Sequence, residues 1–347
     1  MKIGFYLNWL KGTLEKNHAS NVLGEEILAN GLVKALLELK EIQTADIFAP
    51  NFLPKEKLDV MVYLNYTAKV EKNFAKINIC YIQNGANEKG NIKKLYKLVK
   101  KEPFDAYFVF SNKIYEYFKK KGEKVYFIPF AINTEMYHPV EYDKNFDFDV
   151  AYVGNDIKGA KRTTKYLLPA TKFDFGLFGN WASANDNDEL FQKLFKRKHP
   201  DLYDFCILIK HLLFTKDSLK YQKTLARISR GKIAQEDMIK LLSSSKILLN
   251  FTLQASVDYD TINYRILEIL ACKGFVITDR TKIAEKLLKD CVVFTDGNKD
   301  LENKIKYYLE HPEEKQKYIE NGYNYVLENC TAKARAKEIL KSCMELM

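Results

Sequence analysis

The amino-acid sequence predicts an α/β protein with two domains, each built around a parallel sheet. Three observations lead to this prediction. Short apolar runs of strand length alternate with helix-like segments, as they do in the crossover units of parallel sheets. The alternation breaks off in a polar stretch and then begins again. The chain has 347 residues, which is more than a single hydrophobic core usually supports.

In the first domain, expected over residues 1–140, strands and helices take turns along the chain. The predicted strands are 2–7, 44–48, 60–64, 77–82, 106–110 and 125–129. The predicted helices between them are 22–39, 92–101 and 113–120. Residues 133–145 then become polar around Pro139, which makes them the best candidate for a linker.

The second domain, expected over residues 146–330, repeats this pattern after the linker. Its predicted strands are 149–153, 173–178, 247–251, 275–278 and 292–294, and a helix is predicted at 161–169. Residues 181–231 form a less regular insertion, expected to be helical, and residues 301–347 have an almost wholly helical pattern. With two such domains in tandem, ligands are expected at the carboxyl ends of the strands and in the interdomain cleft.

The composition indicates a packed protein without membrane spans or disulfides. Hydrophobic residues make up 47% of the chain, which rules out wholesale disorder. No stretch approaches the ~18 uncharged apolar residues of a membrane span, and the N-terminus resembles a first strand rather than a signal peptide. The 6 cysteines are scattered without a Cys-x-x-Cys pair, so neither disulfides nor a structural zinc site is expected. We therefore expect a cytoplasmic protein.

The net charge of +10 calls for an anionic partner or an anionic surface. Lysines concentrate in residues 89–101, 119–124 and 193–198. The first cluster alternates with apolar residues at helical spacing, and a basic amphipathic helix of this kind can rest on the anionic inner face of the cell membrane. The alternative is an ordinary solvated face. The sequence contains no nucleic-acid-binding motif, so no nucleic-acid partner is expected.

The most informative stretch is residues 263–274, which reads Asn-Tyr-Arg-Ile-Leu-Glu-Ile-Leu-Ala-Cys-Lys-Gly and is followed at once by a short apolar strand. Its middle predicts a helix, and Gly274 is expected to supply the left-handed stop. Arg265 and Glu268 lie three positions apart, so they share one face. That face meets either solvent, as a surface ion pair, or a polar ligand such as a phosphate or a ribose.

A second candidate site lies where the first strand of the second domain passes into a helix. Gly154 follows the strand, and Lys158, Lys161 and Arg162 surround the start of the helix. A glycine lets a ligand approach the backbone, while cations and free helix N–H groups hold phosphate oxygens. Neither the P-loop nor the Gly-x-Gly-x-x-Gly fingerprint is present.

A second acidic residue belongs with the helix at 263–274. Asp260 precedes Glu268 by eight residues, with Arg265 between them. If Asp260 lies in the loop before the helix, the two carboxylates and the arginine can converge on one ligand. Carboxylates accept hydrogen bonds from ribose hydroxyls, and arginine binds phosphate. Together with the phosphate-binding loop, this arrangement favours a nucleotide diphosphate as the ligand.

The segment Asn263-x-Arg265-x-x-Glu268-x-x-Ala271-x-x-Gly274 resembles the nucleotide-sugar motif of retaining GT-B glycosyltransferases of the family 1/family 4 type. It is most similar to the bacterial branch that is spore-maturation-protein-like. Further matches to that branch are Gly154, Arg162, residues 246–250, Tyr307-Tyr308-Leu309, His311-Pro312, Gly322, Thr331 and Arg335. Residues 128–133 and 137–139 resemble the segment that leads such chains out of their first domain.

The resemblance implies a GT-B fold, with two Rossmann-like domains, an interdomain cleft and C-terminal helices. In such proteins the C-terminal domain holds the nucleotide sugar and the N-terminal domain holds the acceptor. The C-terminal helix, residues 331–347, is expected to pack back on the N-terminal domain. On the acceptor side, the loops that follow two strands of the first domain supply four candidate residues: Asn8, His18, Gln83 and Asn84.

The resemblance also implies roles for particular residues. The donor-binding set is Gly154, Lys158, Lys161, Arg162, Asn263, Arg265 and Glu268. Glu268 would bind the ribose, and Arg162, with Lys158 or Lys161, would hold the diphosphate and stabilise it as it leaves. Asp260 occupies the place of the first glutamate in the family's Glu-x7-Glu pattern, which contacts the transferred sugar. Asp260, Arg162 and Arg265 are therefore the expected catalytic residues, and no protein nucleophile is expected.

Neither a metal nor another cofactor is expected. Asp-x-Asp is the manganese motif of the other large glycosyltransferase fold, and it occurs at residues 147–149, 186–188 and 258–260. Three occurrences in an acid-rich chain indicate chance. Asp149 also enters its predicted strand, whereas ligands collect where strands exit.

We therefore expect a glycosyltransferase that moves a sugar from a nucleotide-diphosphate sugar to a glycan, lipid-linked or protein acceptor, as in cell-surface glycan biosynthesis. Two alternatives remain open. A sugar-nucleotide epimerase shares the two-domain fold but uses no acceptor. A non-catalytic protein that binds a nucleotide sugar or a glycan would have kept the fold without the reaction, and the shorter side chain of Asp260 keeps this alternative open.

Overall fold

The computed structural model describes residues 1–12, 24–83, 91–181 and 216–347. His18 and Asn84 lie outside these ranges, as does most of the predicted insertion at 181–231. The described residues form two parallel sheets, one in each half of the chain, and helices surround both sheets.

Six parallel strands form the first sheet, in the order β2-β1-β3-β4-β5-β6. They are β1 (Lys2–Tyr6), β2 (Thr44–Phe48), β3 (Leu58–Tyr63), β4 (Ala75–Ile82), β5 (Ala106–Val109) and β6 (Val125–Phe127). The helices described in this half are α1 (Gly24–Leu37), α2 (Ile92–Val99) and α3 (Asn112–Lys120). Met61 and Val62 of β3 are both fully buried, on opposite faces of the sheet, as the apolar strand pattern requires.

Five parallel strands form the second sheet, in the order β11-β10-β9-β7-β8. They are β7 (Val150–Val153), β8 (Phe175–Phe178), β9 (Leu248–Asn250), β10 (Val276–Thr278) and β11 (Val293–Phe294). The helices described here are α4 (Ala160–Tyr166), α5 (Lys216–Ile228), α6 (Gln235–Ser244), α7 (Gln254–Asp258), α8 (Tyr264–Ala271), α9 (Lys282–Leu288), α10 (Asn298–Glu310), α11 (Pro312–Asn329) and α12 (Ala332–Leu346).

The strand order reverses beside the first strand of each sheet. β1 lies between β2 and β3, and β7 lies between β8 and β9. At such a point the connections that follow neighbouring strands run to opposite faces of the sheet and leave a crevice at its carboxyl edge. Each sheet therefore offers one preferred place for a ligand.

The final helix, α12, packs on the first sheet although it follows the second sheet in sequence. Ala336, Ile339 and Cys343 are buried in one cluster with residues of α1 and β1, among them Leu32 and Phe5. Apolar residues on one stripe of α12 thus complete the core of the first domain.

The predicted fold class is confirmed, and every predicted strand is present with ends that differ by at most two residues. The helix predicted at 161–169 is shorter than expected. It stops at Tyr166, and a 3-10 turn over Leu168–Lys172 follows. Pro169 lies at the start of that turn, where its missing N–H and fixed φ prevent the α-helix from continuing. The short helices α6, α7 and α9 were not identified from the sequence.

The end of α8 corrects a second prediction. Lys273, not Gly274, takes the left-handed conformation, with φ of 56°. The Gly274 N–H donates to the carbonyl oxygen of Ile269 at 2.9 Å, which closes the C-terminus of the helix. Gly274 is required for space instead, because an added Cβ would lie 2.5 Å from Leu248 Cδ1 and 2.8 Å from the carbonyl oxygen of Leu242.

We expect Gly274→Ala to lower the midpoint of thermal unfolding by several degrees. The backbone of Leu242 cannot move aside cheaply, and overpacking of this kind costs about 1–3 kcal/mol. Lys273→Gly is the matched control, and we expect its effect to stay within about 1 kcal/mol, because relief of left-handed strain opposes the added freedom of the unfolded chain. Circular dichroism measures both midpoints. An unchanged midpoint for Gly274→Ala would show that the space is not needed.

Candidate active site

Charged side chains converge at the carboxyl edge of the second sheet, beside the reversal of strand order. Lys158 and Arg162 follow β7, Thr252 and Gln254 follow β9, and Asp279 follows β10. Residues distant in sequence meet here because parallel strands all end at the same edge of a sheet. We refer to these five residues as the edge cluster.

Arg162 is the best-connected residue of the edge cluster. Its Nη2 forms an ion pair with Asp279, and its Nη1 donates to the Gln254 side-chain oxygen at 3.0 Å. The guanidinium carbon lies 5.1 Å from the centre of the Tyr166 ring. The Nε of Arg162 is buried and has no hydrogen-bond partner among the described residues. One donor of the guanidinium is therefore left for a ligand.

Asp279 is the buried partner that holds the Arg162 side chain in place. The residue is only 3% exposed, and Thr252 donates to its carboxylate from the backbone N–H at 3.0 Å and from the hydroxyl at 3.0 Å. A buried carboxylate needs such partners to offset the loss of its hydration. Asp279 is therefore held in place and fixes the position of the Arg162 guanidinium.

Lys158 brings a second cation to the same place. Its ammonium donates to the carbonyl oxygen of Phe251 and lies 4.3 Å from the centre of the Phe251 ring. Burial lowers the pKa of Lys158, the nearby Arg265 and Arg162 act in the same direction, and Asp279 opposes them, so that the pKa is about 7. The Lys158 ammonium is thus close enough to Arg162 and Arg265 to be repelled by both, and a bound anion would relieve that repulsion.

Arg265 and Glu268 lie on the first turns of α8, next to the edge cluster. The Arg265 Nη1 and a Glu268 carboxylate oxygen are 2.5 Å apart. Glu268 is only 5% exposed, and the Tyr137 hydroxyl also hydrogen-bonds its carboxylate. Burial raises the pKa of Glu268, although Arg265 and Tyr137 both favour the ionised form. The pair predicted from the sequence is therefore largely buried and not a surface ion pair.

Three other predicted donor residues have local structural roles. Asn263 caps α8, since its side-chain oxygen accepts from the Arg265 N–H at 3.0 Å. Gly154 makes room for Tyr152, because an added Cβ would lie 2.6 Å from the Tyr152 hydroxyl oxygen. Lys161 is exposed on α4, in contrast to Lys158. Their roles in donor binding stay predictions.

Asp260 lies in the loop before α8, as expected, but both of its carboxylate oxygens are engaged within the protein. One accepts from the Ile283 N–H at 2.8 Å, at the start of α9. The other accepts from the Asn112 side chain at 2.9 Å, which belongs to the first domain. The structure therefore places Asp260 between the domains, whereas Arg162, Lys158 and Arg265 come together.

On the acceptor side, the structure describes Asn8 and Gln83. Asn8 follows β1 at the strand-order reversal of the first sheet, and its amide lies 3.5 Å from the Thr67 hydroxyl. Gln83 follows β4, is 5% exposed, and its Nε2 has no hydrogen-bond partner among the residues that the structure describes. His18 and Asn84 lie outside the described residues.

Sequence analysis missed several members of the site. Asp279 and Thr252 follow predicted strands directly, and Gln254 comes two residues after Thr252, so polar residues at the carboxyl ends of apolar runs were the available signal. Tyr137 was noticed only as part of the segment that leads out of the first domain. Tyr137 and Glu268 are far apart in sequence, so no local sequence pattern predicts their contact.

The described part of the chain contains neither a metal site nor a membrane-spanning helix. Within residues 1–12, 24–83, 91–181 and 216–347, no three acidic, histidine or cysteine side chains lie together as a metal site. Asp149, from one of the Asp-x-Asp motifs, pairs with Lys246 at 2.8 Å. None of the helices in the described part of the chain has the length and apolar character needed to cross a bilayer.

The chain is similar to a known protein family and to solved structures. The model of the family described as Glycosyl transferase-like matches residues 188–341. No curated protein matches the chain. Sucrose-phosphate synthase of Thermosynechococcus elongatus is 13% identical, with a TM-score of 0.65 over 99% of this chain and 98% of that chain.

Two other solved structures were determined with a sugar nucleotide. HepE of Anabaena, in complex with UDP-glucose, is 10% identical, with a TM-score of 0.62 over 99% of this chain and 100% of that chain. BGT of phage T4, in complex with its UDP-glucose substrate, is 14% identical, with a TM-score of 0.57 over 99% of this chain and 100% of that chain. At these identities the likeness concerns the fold.

The fold and the family model agree with each other. The chain has the fold of GT-B glycosyltransferases, and residues 188–341, which are less than half of the chain, match the glycosyl transferase-like family. The fold is the one that the motif at residues 263–274 indicated. The spore-maturation-protein-like branch within that class stays a prediction.

The lowered pKa of Lys158 generates a prediction about stability. Between pH 7 and the ordinary lysine pKa of 10.5, the unfolded chain binds a proton that the folded protein largely lacks. The folded protein therefore gains stability as pH rises through this window. Below pH ~7 the Lys158 ammonium is charged in the folded protein as well, so the full destabilisation from burying it is present. We expect Lys158→Met to be more stable than the wild type by about 1–3 kcal/mol at pH 7, with the advantage shrinking toward pH 10.

Thermal unfolding at several pH values, under reducing conditions, measures this difference. Lys161→Met is the matched control, because Lys161 is an exposed lysine three positions away. We expect its effect to be small and independent of pH. A difference between Lys158→Met and the wild type that stays constant from pH 7 to 10 would contradict the buried position of the Lys158 ammonium.

Proposed function

We propose that the protein transfers a sugar from a nucleotide-diphosphate sugar, bound by the second domain, to an acceptor bound by the first. One observation carries this proposal: Lys158, Arg162 and Arg265 converge at the carboxyl edge of the second sheet, where the buried Nε of Arg162 has no partner among the described residues. Cations that are desolvated and mutually repelling favour an anionic ligand. A diphosphate supplies enough oxygens to engage all three.

In this proposal the reaction depends on electrostatic stabilisation. As the bond between the sugar and the diphosphate breaks, negative charge grows on the leaving oxygen, and Arg162 and Lys158 stabilise it. Each charge-assisted hydrogen bond is worth about 1.5–3 kcal/mol, so loss of Arg162 slows turnover by roughly tenfold or more. Since side chains provide the positive charge, we propose that transfer needs no metal ion. We also propose retention of the anomeric configuration, on the resemblance of the 263–274 motif to retaining enzymes.

The ribose of the donor is assigned to Glu268. Its carboxylate lies one helix turn from Arg265 and is fixed by two partners, Arg265 and Tyr137, so its orientation is set before a ligand arrives. An ionised carboxylate accepts hydrogen bonds from two neighbouring hydroxyls. UDP-glucose is the natural first probe, because HepE and BGT were both solved with it.

The acceptor is assigned to the first domain, near Asn8 and Gln83. Both residues follow strands of the first sheet at its carboxyl edge, and Gln83 keeps a buried amide donor without a partner in the described part of the chain. Polar groups of this kind suit the hydroxyls of a glycan, whether free, lipid-linked or attached to a protein. Analysis of the products separates transfer from epimerisation, which would change the sugar nucleotide without an acceptor.

We expect one nucleotide among UDP, GDP, CDP and TDP, tested with and without their sugars, to raise the thermal unfolding midpoint by several degrees. Binding at a hundredfold over the dissociation constant adds ~2.7 kcal/mol of stability. Of the two lysines that the resemblance offers for the diphosphate, the proposal takes Lys158. Lys158→Met and Arg162→Ala should therefore abolish the shift, whereas Lys161→Met should keep it, because Lys161 is exposed. Differential scanning fluorimetry measures all four proteins.

Two outcomes would count against the donor site. If none of the nucleotides stabilises the wild type, the glycosyltransferase loses its assigned ligand. If Lys161→Met weakens binding as much as Lys158→Met, a diffuse positive surface binds the nucleotide and the edge cluster has no special role.

We further propose a weak peripheral association with anionic membranes, based on exposed lysines in two adjacent helices of the first domain and in the residues that follow them. These lysines are Lys93, Lys97, Lys101, Lys119, Lys120 and Lys124. The structure corrects one part of the sequence-based expectation: Leu95 and Val99 of α2 are buried in the first-domain core, so this helix has no free apolar face for insertion. Only electrostatic attraction remains, at ~1 kcal/mol per lysine near the surface.

We therefore expect the protein to sediment with vesicles that contain phosphatidylserine at low salt, and to be released as ionic strength rises. The double reversal Lys93→Glu with Lys97→Glu should reduce binding at least tenfold. Lys337→Glu with Lys341→Glu is the matched control, since these residues form the same exposed spacing on α12. Equal losses for both pairs would mean that net charge alone attracts the protein.

A further inference from the structure

The five-residue helix α7 connects the edge cluster to the first domain. At its start, the Gln254 side-chain oxygen accepts from Arg162 Nη1 at 3.0 Å. The Gln254 amide donates in turn to the Asp258 carboxylate at 2.9 Å, near the end of the helix. The guanidinium that is proposed to bind the diphosphate is therefore one hydrogen bond away from α7.

The far end of α7 is anchored in the first domain. Tyr259 is completely buried in the cluster that contains Ile114 and Phe118 of α3, although it belongs to the second domain in sequence. The Ser111 hydroxyl donates to the Tyr259 carbonyl oxygen, and the Lys113 ammonium donates to the Asp258 carbonyl oxygen at 2.9 Å.

Asp260 adds contacts on both sides of the domain boundary. The Asn112 N–H donates to its carbonyl oxygen at 3.2 Å, and the Asn112 side chain donates to its carboxylate at 2.9 Å. The second carboxylate oxygen accepts from the Ile283 N–H at 2.8 Å. Asp260 also has a left-handed backbone, with φ of 52°, which is unfavourable for aspartate unless its surroundings hold it there.

We propose that residues 254–260 couple occupancy of the diphosphate site to the contact between the two domains, with Tyr259 and Asp260 as positioning residues. This inference rests on the proposed function, because it takes Arg162 as a diphosphate ligand. A bound diphosphate restrains the Arg162 guanidinium, and through Gln254 it restrains α7 as well. The hydrogen bonds between the end of α7 and the start of α3 then break less often. Asp260 in this chain then acts on the interdomain geometry, not directly on the sugar.

Thermodynamic linkage makes the coupling reciprocal. If a bound diphosphate strengthens the contact between α7 and α3 by a given factor, loss of that contact must weaken diphosphate binding by the same factor. Couplings of this kind usually amount to about 5–150-fold. The strength of the interdomain contact and the affinity for the diphosphate are measured on different parts of the protein. Agreement between the two factors is therefore a strict test of the coupling.

The Asn112 N–H is a built-in reporter, because it donates across the domain boundary and belongs to neither the donor site nor a described strand. We expect saturating UDP, or pyrophosphate as a probe without a base, to slow hydrogen–deuterium exchange of this amide at least fivefold. In Gln254→Ala, which leaves Arg162 its Asp279 partner, the protection should fall below twofold. Calorimetry should show a matching loss of affinity for UDP.

Glu116→Gln is the control, since Glu116 is exposed on the same helix and should keep the full protection. Gln254→Ala tests the coupling without touching Tyr259, whose loss from the core endangers folding. If UDP or pyrophosphate binds the wild type but leaves exchange at Asn112 unchanged, the coupling is wrong and the donor site stands. If neither ligand binds the wild type, the proposed function fails and the coupling fails with it.

Discussion

The ion pair between Arg162 and Asp279 organises the second domain around its carboxyl edge. It joins the helix after β7 to the end of β10, and Thr252, at the end of β9, donates to the same carboxylate. Because the Asp279 side chain is almost inaccessible to water, removal of either partner would leave a buried charge, at a cost of about 3–5 kcal/mol. Three strand ends are thereby fixed relative to one another, and the crevice between them keeps its shape.

Three positively charged side chains lie in or near this ion pair. Burial penalises the Lys158 ammonium, and the neighbouring Arg162 and Arg265 repel it. A fold selected for stability alone would not collect these cations. A site that must bind a diphosphate and stabilise its departure needs positive groups already desolvated and oriented, since they then require little reorganisation during the reaction.

The edge cluster and the domain boundary are connected through a single short segment. α7 starts at Gln254, next to Arg162, and the chain reaches the core of the first domain at Tyr259. Two domains that share a ligand need a defined relative position, because small displacements of reacting groups cost a large part of the rate. In this protein, the contacts of Asp260 with both domains help to fix their relative position.

Much of the fold was predictable because apolar strand runs and helix periodicity are local signals. The motif at residues 263–274 also identified Arg265 and Glu268 as a pair, and the structure brings them within 2.5 Å. Contacts between distant segments were not predictable. Nothing near Asp260 in sequence indicates its contact with Asn112. Likewise, nothing near Gly274 in sequence shows that a glycine is needed there because Leu248 leaves no room for a side chain.

The most direct test of the central claim is a crystal structure of the protein with UDP-glucose or the nucleotide sugar that stabilises it best. The account predicts diphosphate oxygens at ~3 Å from the Arg162 Nε and from the Lys158 ammonium, with the ribose against Glu268. A diphosphate bound elsewhere, for example at the carboxyl edge of the first sheet near Asn8, would contradict it. So would a complex in which the Arg162 Nε remains without a partner.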